Sequence, residues 1–194
     1  MTEAARIFCE DELVDYRAAK LKAAQRLGLP LREARWPDNA SVRDAVLVHQ
    51  RLYGGPGYAQ RLMELRRGAV QAMRLLADFD PCLVGAVVSG AITYAHRVQL
   101  HAFADSVEQL DIFLHNQRIA CEAADRDYRF PGGRSESVPI SRFELNGVGV
   151  DVAVFDPSGR SRPPLAYADA GCERRLNLAQ AQALLARPPA SSAD

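Results

Sequence analysis

Four polar side chains stand in a pattern that could do chemistry. In the stretch from Val98 to Ala104, Val98, Leu100 and Ala102 alternate with Gln99, His101 and Phe103, the two-residue period of a strand with unlike faces. Arg97 precedes that strand, and Gln99 and His101 share the face that could look into a cleft. Upstream, Gly85 lies in an apolar run from Leu83 to Val88 that breaks at Ser89 and Gly90, so a glycine turn is expected beside the same cleft. The fourth residue is Asp151. In its run Val148, Val150, Val152 and Val154 share one face, leaving Gly149, Asp151, Ala153 and Phe155 on the other. A Gln99/His101/Asp151 metal site would have one anionic ligand and one imidazole, a thin set. Ser89 could be a nucleophile only with a base beside it, and His96 is not obviously placed for that. A Ser-Gly turn is the plainer reading. Asp151 taken alone reads as a carboxylate on the wet side of a sheet, or as one paired with an arginine.

The elements that must position these groups are legible in outline. A first amphipathic helix is expected over Glu10 to Leu27, with Leu13, Tyr16, Ala23 and Leu27 on one side and Gly28 and Pro30 as its stop. A second starts near Ser41 and turns Val42, Ala45, Val46, His49 and Leu52 inward before Gly54, Gly55, Pro56 and Gly57 end it. A third, about Tyr58 to Ala77, carries Leu62, Leu65, Ala69, Ala72, Met73 and Leu76 at helical spacing, with Arg61, Arg66, Arg67 and Arg74 as a solvated basic face. Ser106 with Gln109 has capping-box spacing for a helix burying Val107, Leu110, Phe113 and Leu114. Ile119 to Phe130 reads as a ragged strand, and the polar run from Pro131 to Ser137 as a mobile loop. Asn146 and Gly147, between Val138 to Leu145 and Val148 to Phe155, give the strongest hairpin signal of the chain. A long loop follows Phe155, and Asn177 with Gln180 opens a last short helix.

Helices followed by strands interleaved with helices predict an α+β fold, with a small mixed β-sheet and helices packed on it. The expected division is a helical N-terminal region over 1–57, an α/β domain over 58–186 and a frayed tail over 187–194. Lys plus Arg balance Asp plus Glu at 24 each, so net charge does not point to nucleic acid. The four cysteines, Cys9, Cys82, Cys121 and Cys172, form no C-x-x-C pair, and no apolar stretch approaches membrane-spanning length. A soluble, cytoplasmic protein without membrane contact is the expectation. Neither a G-x-S-x-G elbow nor a Walker P-loop is present, and no cofactor or metal is expected.

From roughly Tyr58 to Phe155 the layout resembles the nucleotidyltransferase superfamily, the DNA polymerase β-like fold. There a Gly-Ser pair follows the first strand, a short helix intervenes, and an Asp-x-Asp on the second strand holds two divalent metals. With Gly85 as the family glycine, Gly90 matches a second loop glycine and the first carboxylate should fall at 97. The expected serine is Ala86, and the expected Asp-x-Asp reads Arg97, Val98, Gln99. A guanidinium and a neutral amide cannot supply the hard anionic oxygens that Mg²⁺ needs. Asp151 stands where the resemblance implies the third carboxylate, and Arg97 is its candidate partner. The resemblance therefore implies a kept fold with lost two-metal catalysis. The candidate cleft is Gly85, Ser89, Gly90, Arg97, Gln99, His101 and Asp151, and the expected ligand is a nucleotide or phosphorylated small molecule. A protein partner or a homodimer through the N-terminal helices is a further expectation. The alternatives are an active nucleotidyltransferase with a displaced acidic set drawn from Asp105, Asp111 or Asp151, and a purely structural or assembly protein.

Overall fold

The N-terminal helices show first where local chemistry overrides periodicity. In the computed structural model, which describes residues 1–29, 36–168 and 171–186, α1 spans Thr2–Glu10 and α2 spans Tyr16–Arg26. The single helix expected over 10–27 is thus corrected: α1 ends at Glu10, residues 11–15 are not helical, and the expected helix begins only at Tyr16. Glu12 takes a positive φ of 51°, and the Asp15 carboxylate accepts the backbone N–H groups of Arg17 (2.9 Å) and Ala18 (3.3 Å), which starts a new helix. Tyr16 and Ala23 are buried as expected, joined by Ala19 and Ala24, whereas Leu27, also expected inside, is exposed. No expectation above covers α1, which buries Ala4, Ala5, Ile7 and Phe8.

α3 (Asn39–Tyr53) is capped by Asp38, not by Ser41: the Asp38 carboxylate accepts the Ser41 N–H at 2.6 Å. Leu52 is exposed, and the inward place belongs to Gln50, whose amide donates to the Ile92 carbonyl. α4 (Gly55–Leu75) begins earlier than expected because Pro56 fits the first turn of a helix, where its missing N–H has no partner to lose. Its apolar side is buried as the spacing predicts. Arg66 corrects the basic face: it is only 7% exposed, and its guanidinium reaches the Leu184 carbonyl.

The strands are β1 (Cys82–Val84), β2 (Val98–Phe103), β3 (Cys121–Arg129), β4 (Ser135–Leu145) and β5 (Val148–Phe155), in the spatial order β1-β2-β5-β4-β3. β2 and β5 run parallel, and the other neighbours are antiparallel. The fold is α+β, helices first. The apolar run after Leu83 is not one strand: β1 stops at Val84, Gly85 turns at φ 75°, and α5 (Ala86–Ser89) follows. The expected mobile loop is also corrected. Pro131, Gly132 and Gly133 make a tight turn, and β4 pairs with β3 from Ser135 onward, so β3 and β4 form a second hairpin. Asn146 and Gly147 both have positive φ, 51° and 78°, as a type I′ turn requires.

One sheet face carries Val98, Leu100, Ala102, Val150, Val152 and Val154 against α4, α6 (Val107–Asn116) and α7 (Leu178–Leu185). α7 opens with the full capping box of Asn177 and Gln180. The tail over 187–194 lies outside the described residues. No helix among the described residues is long and apolar enough to cross a membrane.

The N-terminal helices share a separate core, which includes Ala91 from the segment between α5 and β2. The seam there is polar at one point. The Thr93 hydroxyl donates to the Leu13 carbonyl (3.2 Å), and the Thr93 N–H donates to His96 Nδ1 (2.9 Å), with the imidazole tilted against Phe8. Burial, with the Arg61 charge nearby, pulls His96 down to about 4. A histidine kept neutral in the fold contributes stability that is whole above its unfolded pKa of about 6.5 and is lost as pH falls toward 4. The expected loss from His96 is about 3 kcal/mol. His101, also pulled down by burial and two arginines, acts in the same direction, while Glu173, pushed up by burial, acts against it. Denaturant unfolding at pH 7 and pH 4.5 should show the loss, and a His96→Gln variant should flatten the profile. An unchanged slope in that variant would remove His96 from the account.

Candidate functional site

The sheet face away from α4 divides into two ends. At one end Phe103, Phe130, Val138, Ile140, Ala153 and Phe155 form a small apolar cluster. At the other, strand register lays polar residues in a row: Gln99 is opposite Asp151, Asp151 opposite Arg142, and Arg142 opposite Glu122. This row floors a cleft of about 1420 Å³, whose further walls include Asp15, Tyr16 and Arg17 at the start of α2, and Arg43 of α3.

Asp151 is the centre of the row. Its side chain is 7% exposed and meets three guanidiniums: Arg97 Nε at 2.6 Å from Oδ1, Arg126 Nη2 at 3.4 Å from Oδ2 and Arg142 Nε at 3.8 Å from Oδ2. The arginine side chains are each about a third or more exposed, so one buried negative charge faces three positive charges that water and solutes can reach. Arg142 Nε is buried and makes no hydrogen bond. Arg97 is the best fixed of the three. Its Nη2 donates to the Phe143 (2.9 Å) and Val150 (3.3 Å) carbonyls, tying β4 to β5. Gly149 makes room for it, since a Cβ there would stand 2.6 Å from Arg97 Cζ.

Six of the seven residues named from sequence line the cleft: Gly85, Ser89, Arg97, Gln99, His101 and Asp151. Gly90 does not. It lies behind the wall, its carbonyl accepting the Tyr58 hydroxyl at 2.9 Å. The Ser89 hydroxyl turns back to the Ala86 carbonyl (3.1 Å), a turn bond without a base. His96 is occupied at Thr93. His101 is 1% exposed; its Nδ1 accepts Arg175 Nε at 3.0 Å, and its ring packs on Tyr128 and Phe155. A ring nitrogen that accepts from a guanidinium has no lone pair left there for a metal. Among the described residues no group of three or more His, Cys, Asp or Glu side chains could hold a metal ion. Asp105 and Asp111 do not reach the cleft. Asp105 is exposed beyond β2, and Asp111 accepts the Ser141 hydroxyl (2.6 Å) on the helix-packed side of the sheet.

Sequence reasoning missed Arg126, Arg142 and Glu173. Arg142 was within reach, because a two-residue turn at Asn146 and Gly147 sets residue 142 opposite 151. Arg126 was not, since its place depends on the unforeseen β3–β4 hairpin. Glu173 comes from the long loop after Phe155, and its carboxylate accepts the Gly85 N–H at 3.4 Å. No protein-family model matches this chain, and no curated protein is significantly similar to it.

Proposed function

We propose that this is a nucleotidyltransferase-like protein that has lost two-metal catalysis and binds a phosphate-bearing ligand through fixed guanidiniums. The observation that carries the reading is the convergence of Arg97, Arg126 and Arg142 on Asp151 in the cleft floor. Supporting it is the order of elements: strand, glycine turn, short helix, second strand, and a late parallel strand placing Asp151 directly beside Gln99. These are the positions at which the resembled superfamily gathers its carboxylates. Two divalent ions do not fit the residues present, because two of the three positions hold Arg97 and Gln99 and the remaining carboxylate is already encircled by cations. A phosphoryl group suits the same place. Its oxygens accept the charge-assisted hydrogen bonds that guanidiniums donate, and the surplus positive charge attracts it without a bridging metal.

The test is calorimetric titration with inorganic pyrophosphate and with nucleotides at low ionic strength, with and without EDTA. Binding should be unaffected by EDTA and should weaken with added salt, as expected of partly exposed charges. Arg126→Ala and Arg142→Ala should each weaken it by about tenfold or more, the worth of one charge-assisted hydrogen bond. Binding abolished by EDTA, or no binding of any phosphate probe, would remove this reading.

A further inference from the structure

The segment after β5 returns to the cleft as a strap with two described limbs, 164–168 and 171–174. Leu165 N–H donates to the Arg129 carbonyl (2.6 Å), Ala166 N–H to the Gly171 carbonyl (2.9 Å) and Glu173 N–H to the Pro164 carbonyl (2.7 Å). The strap touches both walls. On the helical side the Tyr167 ring stacks on Tyr16 with centroids 5.8 Å apart, its hydroxyl donates to Asp15, and its carbonyl accepts Asn39 Nδ2 at 2.8 Å. On the sheet side the Glu173 carboxylate accepts the Gly85 N–H. Burial pushes that carboxyl up, and the backbone N–H groups of Gly85 and Tyr167, with the Arg175 charge, offset this only in part.

We infer that this strap is a latch across the anion site: Glu173, a carboxylate in the same cleft as Arg97, Arg126 and Arg142, opposes a bound anion, so that anion binding and strap docking exclude one another. The inference rests on the arginine-site reading above. Two features make the strap the element that gives way. Its large side chains, Leu165 and Tyr167, remain 39% and 50% exposed, so the apolar hold on it comes from small groups, the buried Pro164, and Ala168 against the N-terminal core. Its attachment at Gly85 is a single long hydrogen bond, where the sheet beneath is paired along its length. Two negative groups in one partly buried cleft repel strongly, and the coupling must be reciprocal: whatever the latch takes from anion affinity, the anion takes from latch stability.

The probe is inorganic pyrophosphate, and the full chain is compared with Glu173→Gln and Tyr167→Phe. Glutamine keeps an acceptor for the Gly85 N–H but removes the charge, so Glu173→Gln should bind pyrophosphate about tenfold more tightly. In the unaltered protein, saturating pyrophosphate should speed amide exchange at Leu165 and Ala166 by about tenfold, and in Glu173→Gln it should not. Tyr167→Phe, which keeps the ring stack and loses the hydroxyl, should raise exchange at both amides before any probe is added. Equal affinity in the unaltered protein and Glu173→Gln, or exchange indifferent to pyrophosphate, overturns the latch and leaves the arginine site standing. Absence of binding in all three proteins overturns the arginine site itself, and the latch with it.

Discussion

Asp151→Asn is expected to lower stability by about 2–3 kcal/mol and to tighten anion binding at least tenfold. The two effects share one cause. With the carboxylate gone, Arg97, Arg126 and Arg142 face one another without the charge that draws them together. Breaking a fully buried ion pair from one side costs about 3–5 kcal/mol; the figure is reduced here because each guanidinium keeps access to water. The same surplus charge then awaits an external anion. Pyrophosphate at a hundredfold excess over its Kd should return about 2.7 kcal/mol by mass action, enough to restore the unfolding midpoint. Denaturant unfolding with and without pyrophosphate, paired with calorimetry, measures both. A variant that is less stable yet binds no better would mean that Asp151 only holds strands together. Adding Arg142→Met to Asp151→Asn should recover part of the lost stability, since like-charge repulsion is then relieved at a guanidinium whose buried Nε makes no hydrogen bond.

Gly85→Ala is expected to lose about 2–4 kcal/mol, for two separable reasons. Gly85 has φ 75° and ψ −148°, a region open in practice only to glycine. A Cβ there would also overlap the Gln99 carboxamide, which lies directly over the turn. Gln99→Ala in the same chain should relieve the overlap and leave the backbone strain, so the double variant should be more stable than the sum of single effects implies. Gly90→Ala is the comparison. Gly90 has φ 91° too, but its nearest neighbour would be the Tyr58 hydroxyl at 3.3 Å, so strain of about 1 kcal/mol should account for the loss. Thermal or denaturant unfolding of the four variants decides it, and equal losses at Gly85 and Gly90 would show that the Gln99 contact carries no weight.

The sheet was legible where pattern and turn chemistry agree. Alternation in Val98 to Phe103 and Val148 to Phe155, with Asn146 and Gly147 between strands, is a short-range signal, and the strands formed on those residues. The helices of the first third were less legible. Asp15 and Asp38 are caps whose effect depends on which backbone N–H groups they meet, and periodicity alone carried the first helix straight through Asp15. Ser135 to Ser137 read as loop because their side chains are polar and exposed; they are strand because β3 offers its backbone to them.

The site divides along the same line. Residue order alone placed Gln99 on a strand beside a glycine turn, Arg97 just before that strand and Asp151 on a later one, because side-chain direction in a strand follows from a period of two. Beyond the hairpin at Asn146 and Gly147, which sets residue 142 opposite 151, it could not tell which strands would lie side by side. Only the tertiary structure set β5 parallel to β2, brought Arg126 onto Asp151, buried His101 under Arg175 and Gly90 behind Tyr58, and returned Glu173 to Gly85. Pairing between distant strands is decided by which apolar faces close the common core, and that is a property of the folded whole.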